Sequence, residues 1–408
     1  MQSSSNRTVK TILCLALGLT VFTTVDCQSQ TTQYKLAKPD APSMVPAFTS
    51  INELITKGND AYRKGNLEEA INYLKIAAGR QPANVAVHNN LAMCLKRQGN
   101  LDKAIEEYKA AIDLDPSKAE LFNNLGTAYL AKGDLDQALI SFYQAIRLKP
   151  DYTSAHYNLG HLLYYKRDYV SSVNAYQQAL KLDQNQAPIH RDLGDALNAQ
   201  GNVHGSVLEF ERAKQLGDNS TANVLRIARA YEALDENTKA ESTLKQALTA
   251  DANNAELLSE LGSVEWKEEK YPQAKSTLEK ALASDPGCAQ TRNNLAIVFY
   301  DLQDYQQAIS LWKQALLLKP DFAEVHYNLG CALYQAGLFN QSAEAFQECL
   351  KVNGKNFNAL NNLGLALMKD GKRKEAIEKW QLAKEICPNC QLVLDNLQIA
   401  NETTGRDR

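Results

Sequence analysis

The residues best suited to chemistry are four histidines and a cysteine pair. His88, His156, His190 and His326 are separated by multiples of 34 residues. Imidazoles at regular spacing suggest a metal, but each zinc ligand must reach the ion within about 2.1 Å. Equivalent side chains on successive packed helices lie roughly 10 Å apart. The spacing therefore describes one packing slot used repeatedly, and no metal site or cofactor is expected. Cys387-Pro388-Asn389-Cys390 has the spacing of a redox dithiol. Such a motif works at a strand-to-helix turn, whereas helical stretches flank this one on both sides. Cys387 and Cys390 are read as a local disulfide or a pair of thiols, without redox catalysis. Cys94 and Cys349 fall in small apolar slots and are expected to be inert.

A second set of residues suits binding. Asn90, Asn124, Asn158, Asn294, Asn328 and Asn362 share one repeat position. A side-chain amide carries both a donor and an acceptor, so a row of them matches the polar groups of an extended polypeptide. Tyr157 and Tyr327 precede two of these asparagines, and Tyr62, Tyr164, Trp266, Tyr300 and Tyr334 recur two helical turns further on. Rings with a polar edge are common anchors at binding surfaces. Between the asparagine groups lies a charged stretch, Arg191, Asp192 and Asp195, then Arg226, Arg229 and Glu232, then Glu256 and Glu260. Mutual neutralisation explains it without a ligand.

The elements that position these side chains follow from a 34-residue period running ten times from Ile51 to Cys390. Position 8 is small throughout (Gly58, Ala92, Gly126, Gly160, Gly194 and onward), position 20 is Ala or Ser, and position 27 is Ala in every unit but one. Position 24 is large, from Leu74 and Tyr108 to Phe346 and Trp380. Two helices cross closely only where one offers a small residue to the other's bulk. Each unit thus reads as two helices of about 14 residues, roughly 20 Å long. Glycines at position 15 and prolines at position 32 mark the turns. One such pair cannot bury its apolar stripe alone, so neighbouring units must stack.

On these residues the chain resembles the tetratricopeptide-repeat (TPR) family over residues 51–390. The resemblance implies an all-α solenoid, a right-handed superhelix of ten helix-turn-helix repeats with the first helix of each repeat lining a concave groove. The groove asparagines are similar to those in the repeat domain of O-linked N-acetylglucosamine transferases, without a catalytic domain. The family implies a partner that is a protein or peptide, held by a non-enzymatic adaptor or scaffold. Two other readings stay open: the substrate-recruiting module of a glycosyltransferase system, and a structural scaffold of an envelope complex that uses its convex face. The carboxylate clamp of chaperone-binding repeats is absent, because Ile55, Glu120 and Asn124 stand where cations are required.

The ends differ from the repeats. Arg7 and Lys10 precede an apolar stretch from Thr11 to Val25, the layout of a secretory signal over residues 1–27. Export to the periplasm or the cell exterior is expected, with no membrane insertion after cleavage. The alternative is anchoring by an uncleaved segment or by a lipid on Cys27, although Asp26 stands where a lipid-attachment motif wants a small residue. Residues 28–50 read as a polar linker. In the first repeat Lys57 replaces the usual aliphatic residue, as suits an exposed end. In residues 391–408, Val393, Leu394, Leu397 and Ala400 have the spacing of a capping helix ahead of a polar tail. A net charge of −3 provides no basic field for nucleic acid. Finally, Lys149–Gly160 and Lys319–Gly330 correspond closely across 170 residues, which suggests duplication of a five-repeat block.

Overall fold

The protein is described here from a computed structural model covering residues 49–402. The described residues form twenty-one helices and no strand. The leader and most of the linker expected from the sequence lie outside the described residues. The chain divides between Leu234 and Asp235 into two compact units. In the N-terminal unit the first helices of the repeats are α1 (Ile51–Arg63), α3 (Val85–Arg97), α5 (Ala119–Lys132), α7 (Thr153–Tyr165), α9 (Ala187–Ala199) and α11 (Thr221–Ala233). The second helices between them are α2 (Leu67–Arg80), α4 (Leu101–Leu114), α6 (Leu135–Leu148), α8 (Tyr169–Leu182) and α10 (Val203–Gln215). The C-terminal unit opens on a second helix, α12 (Asn237–Leu248). Four complete pairs follow: α13 (Ala255–Lys267) and α14 (Tyr271–Ser284), α15 (Ala289–Asp301) and α16 (Tyr305–Leu318), α17 (Ala323–Gln335) and α18 (Phe339–Val352), α19 (Phe357–Lys369) and α20 (Arg373–Ile386). The last helix is α21 (Gln391–Glu402).

All ten first helices begin at position 1 of the period and all ten second helices at position 17. Local chemistry explains this regularity. Side chains of Ser50, Asn84, Ser220, Asn254 and Asn356 accept an amide of the first turn at the starts of α1, α3, α11, α13 and α19. The turn between the two helices of a repeat passes through a left-handed residue at position 15. Six repeats place Gly there, while Arg167, Asp235, Glu269 and Gln303 adopt φ of 60°, 60°, 59° and 64° in the others. The helix-turn-helix geometry thus dictates the conformation whether or not the residue favours it.

The core lies between paired helices. The large residue at position 24 packs directly on the small one at position 8. A Cβ placed on Gly126 would sit 2.6 Å from the Phe142 ring, and one on Gly330 would sit 2.7 Å from Phe346. Trp312, Trp380, Tyr108, Tyr176, Phe142, Phe210 and Phe346, all at position 24, are among the largest fully buried side chains. Two position-20 serines add a bond across the same contact. Ser172 Oγ donates to the Gly160 carbonyl at 2.8 Å, and Ser342 Oγ to that of Gly330 at 2.7 Å.

Candidate binding row on the first helices

Within each unit, first helices of adjacent repeats touch, so their inner side chains meet across repeats. A hydrogen-bond register results. Asn124 Nδ2 donates to Asn89 Oδ1 at 3.0 Å, and Asn158 Nδ2 donates to Asn123 Oδ1 at 2.8 Å. In the C-terminal unit Asn328 reaches Asn293 at 3.2 Å, and Asn396 of α21 reaches Asn361 at 2.9 Å. Each joins position 6 of one repeat to position 5 of the repeat before it. Two others use position 9: Asn90 donates to Asn59 at 3.0 Å and Asn294 to Ser263 Oγ at 2.9 Å. Asn362 donates to the Tyr327 hydroxyl at 3.0 Å. Every one of the six asparagines named from the sequence therefore commits its amide N–H to the preceding repeat. The acceptors at position 5 were not singled out in the sequence, although the doublets Asn89-Asn90, Asn123-Asn124, Asn293-Asn294 and Asn361-Asn362 were the visible signal.

The six do not share one environment. Asn90, Asn124 and Asn158 are half-buried, whereas Asn294, Asn328 and Asn362 are buried. Among the described residues, the Oδ1 atoms of Asn124 and Asn158 accept no hydrogen bond. The aromatic residues also take up positions inside the repeat stack. Tyr164, Tyr300 and Tyr334 pack on the first ring of the following helix, Tyr169, Tyr305 and Phe339, at centroid distances of 5.5, 5.3 and 5.3 Å. Trp266 Nε1 donates to Asp301 Oδ2 at 2.6 Å. Tyr327 is buried against Phe346, and burial pushes its phenol far above the usual range. Its counterpart Tyr157 is half-buried and donates to Asp192 Oδ2 at 2.7 Å. Burial and then that carboxylate push the Tyr157 phenol well up.

In the charged stretch of the N-terminal unit, Arg191 bridges Asp192 and Asp218, each at 3.2 Å, and Arg226 Nε lies 2.8 Å from Asp195 Oδ1. Burial raises the Asp195 pKa, and the Arg226 contact opposes that rise. The pairing differs from a simple alternation along position 6, since Arg226 chooses the position-9 carboxylate one turn away. The histidines act on loops. His156, His326 and His88 place Nε2 2.9, 2.8 and 2.8 Å from the carbonyls of Pro150, Pro320 and Pro82, and His190 reaches Gln184 O at 3.0 Å. Position 4 thus latches the turn six residues upstream, a polar duty beyond filling space. Among the described residues no group of three or more His, Cys, Asp or Glu could hold a metal ion. Cys387 and Cys390 are thiols flanking the α20–α21 turn, where Cys390 N donates to Cys387 O at 3.2 Å. No described helix is long and apolar enough to cross a membrane.

Comparison with known proteins bears on this geometry. Solved structures similar to the chain include the hetero-tetramer Cut9–Hcn1 of the APC/C, 13% identical, covering 86% of this chain and 96% of that one with a TM-score of 0.47. Pseudomonas aeruginosa pilF is 20% identical, covering 51% and 94% with a TM-score of 0.45. YrrB, a TPR protein with an unusual peptide-binding site, is 22% identical, covering 46% and 96% with a TM-score of 0.39. None of the curated proteins matches the chain. Residues 55–119, 95–153, 157–221, 225–287 and 327–389 match the family model described as tetratricopeptide repeat, and residues 297–337 match a second TPR repeat model. With its period, its turns and its glycine-against-bulk contacts in agreement with those matches, the chain belongs to the tetratricopeptide-repeat family.

Proposed function

We propose that this chain is a non-enzymatic adaptor that holds an extended segment of a partner polypeptide along the first helices of its N-terminal unit. TPR proteins generally mediate protein–protein interaction, and a pure repeat architecture is typically non-catalytic. One observation carries the reading. Asn124 and Asn158 are half-buried, their N–H groups are fixed by the preceding repeat, and their Oδ1 atoms have no partner among the described residues. An oriented acceptor of this kind suits a peptide N–H. The likeness to the asparagine row of O-linked N-acetylglucosamine transferases belongs to this proposal, as a mode of holding backbone rather than as an activity. The leader over residues 1–27 supports placing the mature protein outside the cytoplasm. Intact mass from the native host tests that, and retention of Met1 in the cytosol would count against export.

The rival face also has an observation behind it. On the outer helices α6, α8 and α10, Ile140, Tyr143, Val170 and Leu208 are 60, 53, 58 and 71% exposed. Exposed apolar side chains of this size are frequent at scaffolding surfaces. The deciding experiment captures partners from native extract with the full chain, then titrates the captured partner against two variants. Asn124→Ala with Asn158→Ala should weaken binding by about 0.5–1.5 kcal/mol per amide, up to roughly tenfold each. Ile140→Glu with Leu208→Glu should leave it unchanged. The reverse outcome would move the site to the outer face.

A further inference from the structure

The inner end of the second repeat carries two adjacent cations, Lys96 and Arg97, at the end of α3. Cations elsewhere along this edge are neutralised within the protein. Lys132 lies 2.6 Å from Asp102, Lys166 lies 2.7 Å from Asp136, and Arg63 lies 3.0 Å from Asp60. Lys96 is different. It is half-buried, its Nζ donates to Thr127 Oγ1 of α5 at 2.7 Å, and no carboxylate stands within ion-pair distance among the described residues. Thr127 in turn donates its own proton to the Asn124 carbonyl at 2.8 Å, so it serves Lys96 as an acceptor. An ammonium has three donors, and two of these remain unspent here. Burial alone lowers the Lys96 pKa, as expected for a cation partly removed from water without a counter-charge. Arg97 is likewise without a carboxylate. Its guanidinium lies 4.9 Å from the centroid of the Tyr62 ring, and Nη1 donates to Tyr62 O at 3.1 Å.

Desolvating a cation without an anion is unfavourable, and a ligand that brings the anion recovers the difference. We propose that the second-repeat end of the N-terminal row receives an Asp or Glu side chain of the bound polypeptide, with Lys96 as its counter-ion and Arg97 at the rim. The inference rests on the groove reading above and adds a chemical class to it. A side chain is favoured over a chain terminus because the row continues on both sides of Lys96. Asn90 lies on the same helix and Asn124 on the next first helix, so a segment held by both must run past this point.

The test starts from a display library of random 12-residue peptides, fused at the C-terminal end and selected on the full chain. Enriched sequences are then synthesised with an amidated C-terminus and titrated by fluorescence anisotropy. A shared Asp or Glu is expected among them. Exchanging that residue for its amide should weaken binding about tenfold, in line with loss of a charge-assisted hydrogen bond. Lys96→Met should weaken the acidic peptide by the same factor and leave the amide peptide unaffected, while Lys96→Arg should retain most of the affinity. Melting curves of both variants show whether the fold is intact. Enriched peptides that lack an acid, or that ignore Lys96→Met, would overturn the counter-ion assignment and leave the groove reading standing. Peptides that bind only with a free C-terminal carboxylate would overturn the side-chain assignment. Selection yielding no peptide sensitive to Asn124→Ala with Asn158→Ala would overturn the groove reading and this inference with it.

Discussion

At the scale of single residues, burial separates inert groups from available ones. Cys94 and Cys349 lie in the core, where burial pushes each thiol up to about 11. Cys387 and Cys390 are only half-buried at the last repeat turn. Thiolate is the reactive species, so iodoacetamide at pH 8 followed by peptide mapping should label Cys387 and Cys390 and spare Cys94 and Cys349. Labelling of the core pair in folded protein would contradict their burial. These slots were legible in the sequence because position and size recur every 34 residues. The histidine latch was not, because the carbonyl it meets belongs to a turn whose path appears only in three dimensions.

At the scale of elements, the left-handed turn residue shows backbone geometry overriding preference. Gln303 sits at φ 64° where six other repeats place Gly. A left-handed conformation disfavours a residue with a Cβ by about 1–2 kcal/mol, and part of that is offset by the extra freedom glycine has when unfolded. Gln303→Gly should therefore stabilise the α15–α16 turn by a few tenths to about 1 kcal/mol. Slower amide exchange in α15 and α16 is the appropriate readout, since repeat arrays open locally. Faster exchange would mean that the Gln303 side chain contributes something the turn needs. The two putatively duplicated segments can be compared at this scale too. Ser172 and Ser342 make the same bond, as do His156 and His326, yet Tyr157 donates to a carboxylate while Tyr327 accepts from an amide.

At the scale of the molecule, charge enters the C-terminal unit through one network. Glu241 of α12 contacts Lys245 and lies 2.7 Å from Lys270, and these bonds hold its carboxyl down at about 2. A depressed carboxylate stabilises the fold above its unfolded pKa near 4.5, and the contribution is lost as pH falls toward 2. Buried Glu265 nearby behaves oppositely, its pKa raised by burial, so only a single substitution isolates the Glu241 effect. Urea unfolding of wild type and Glu241→Gln should show a gap at pH 7 that narrows progressively below about pH 4.5. A gap independent of pH would mean that the network does not titrate with folding.

The sequence by itself determined the period, the helix boundaries within each repeat, the small-against-large contacts and the inner row of asparagines. All of these depend on residue size and spacing, which a linear pattern records directly. Only the tertiary structure decided how the row is used. Asn158 and Asn328 occupy equivalent places and make equivalent bonds, but Asn158 is half-buried and Asn328 is buried. The sequence likewise placed Lys96 on the inner row without showing that Asp102 and Asp136 serve Lys132 and Lys166 and leave Lys96 without a carboxylate. Exposure and charge pairing are properties of neighbours some thirty residues away in the chain, and they exist only once the helices have stacked.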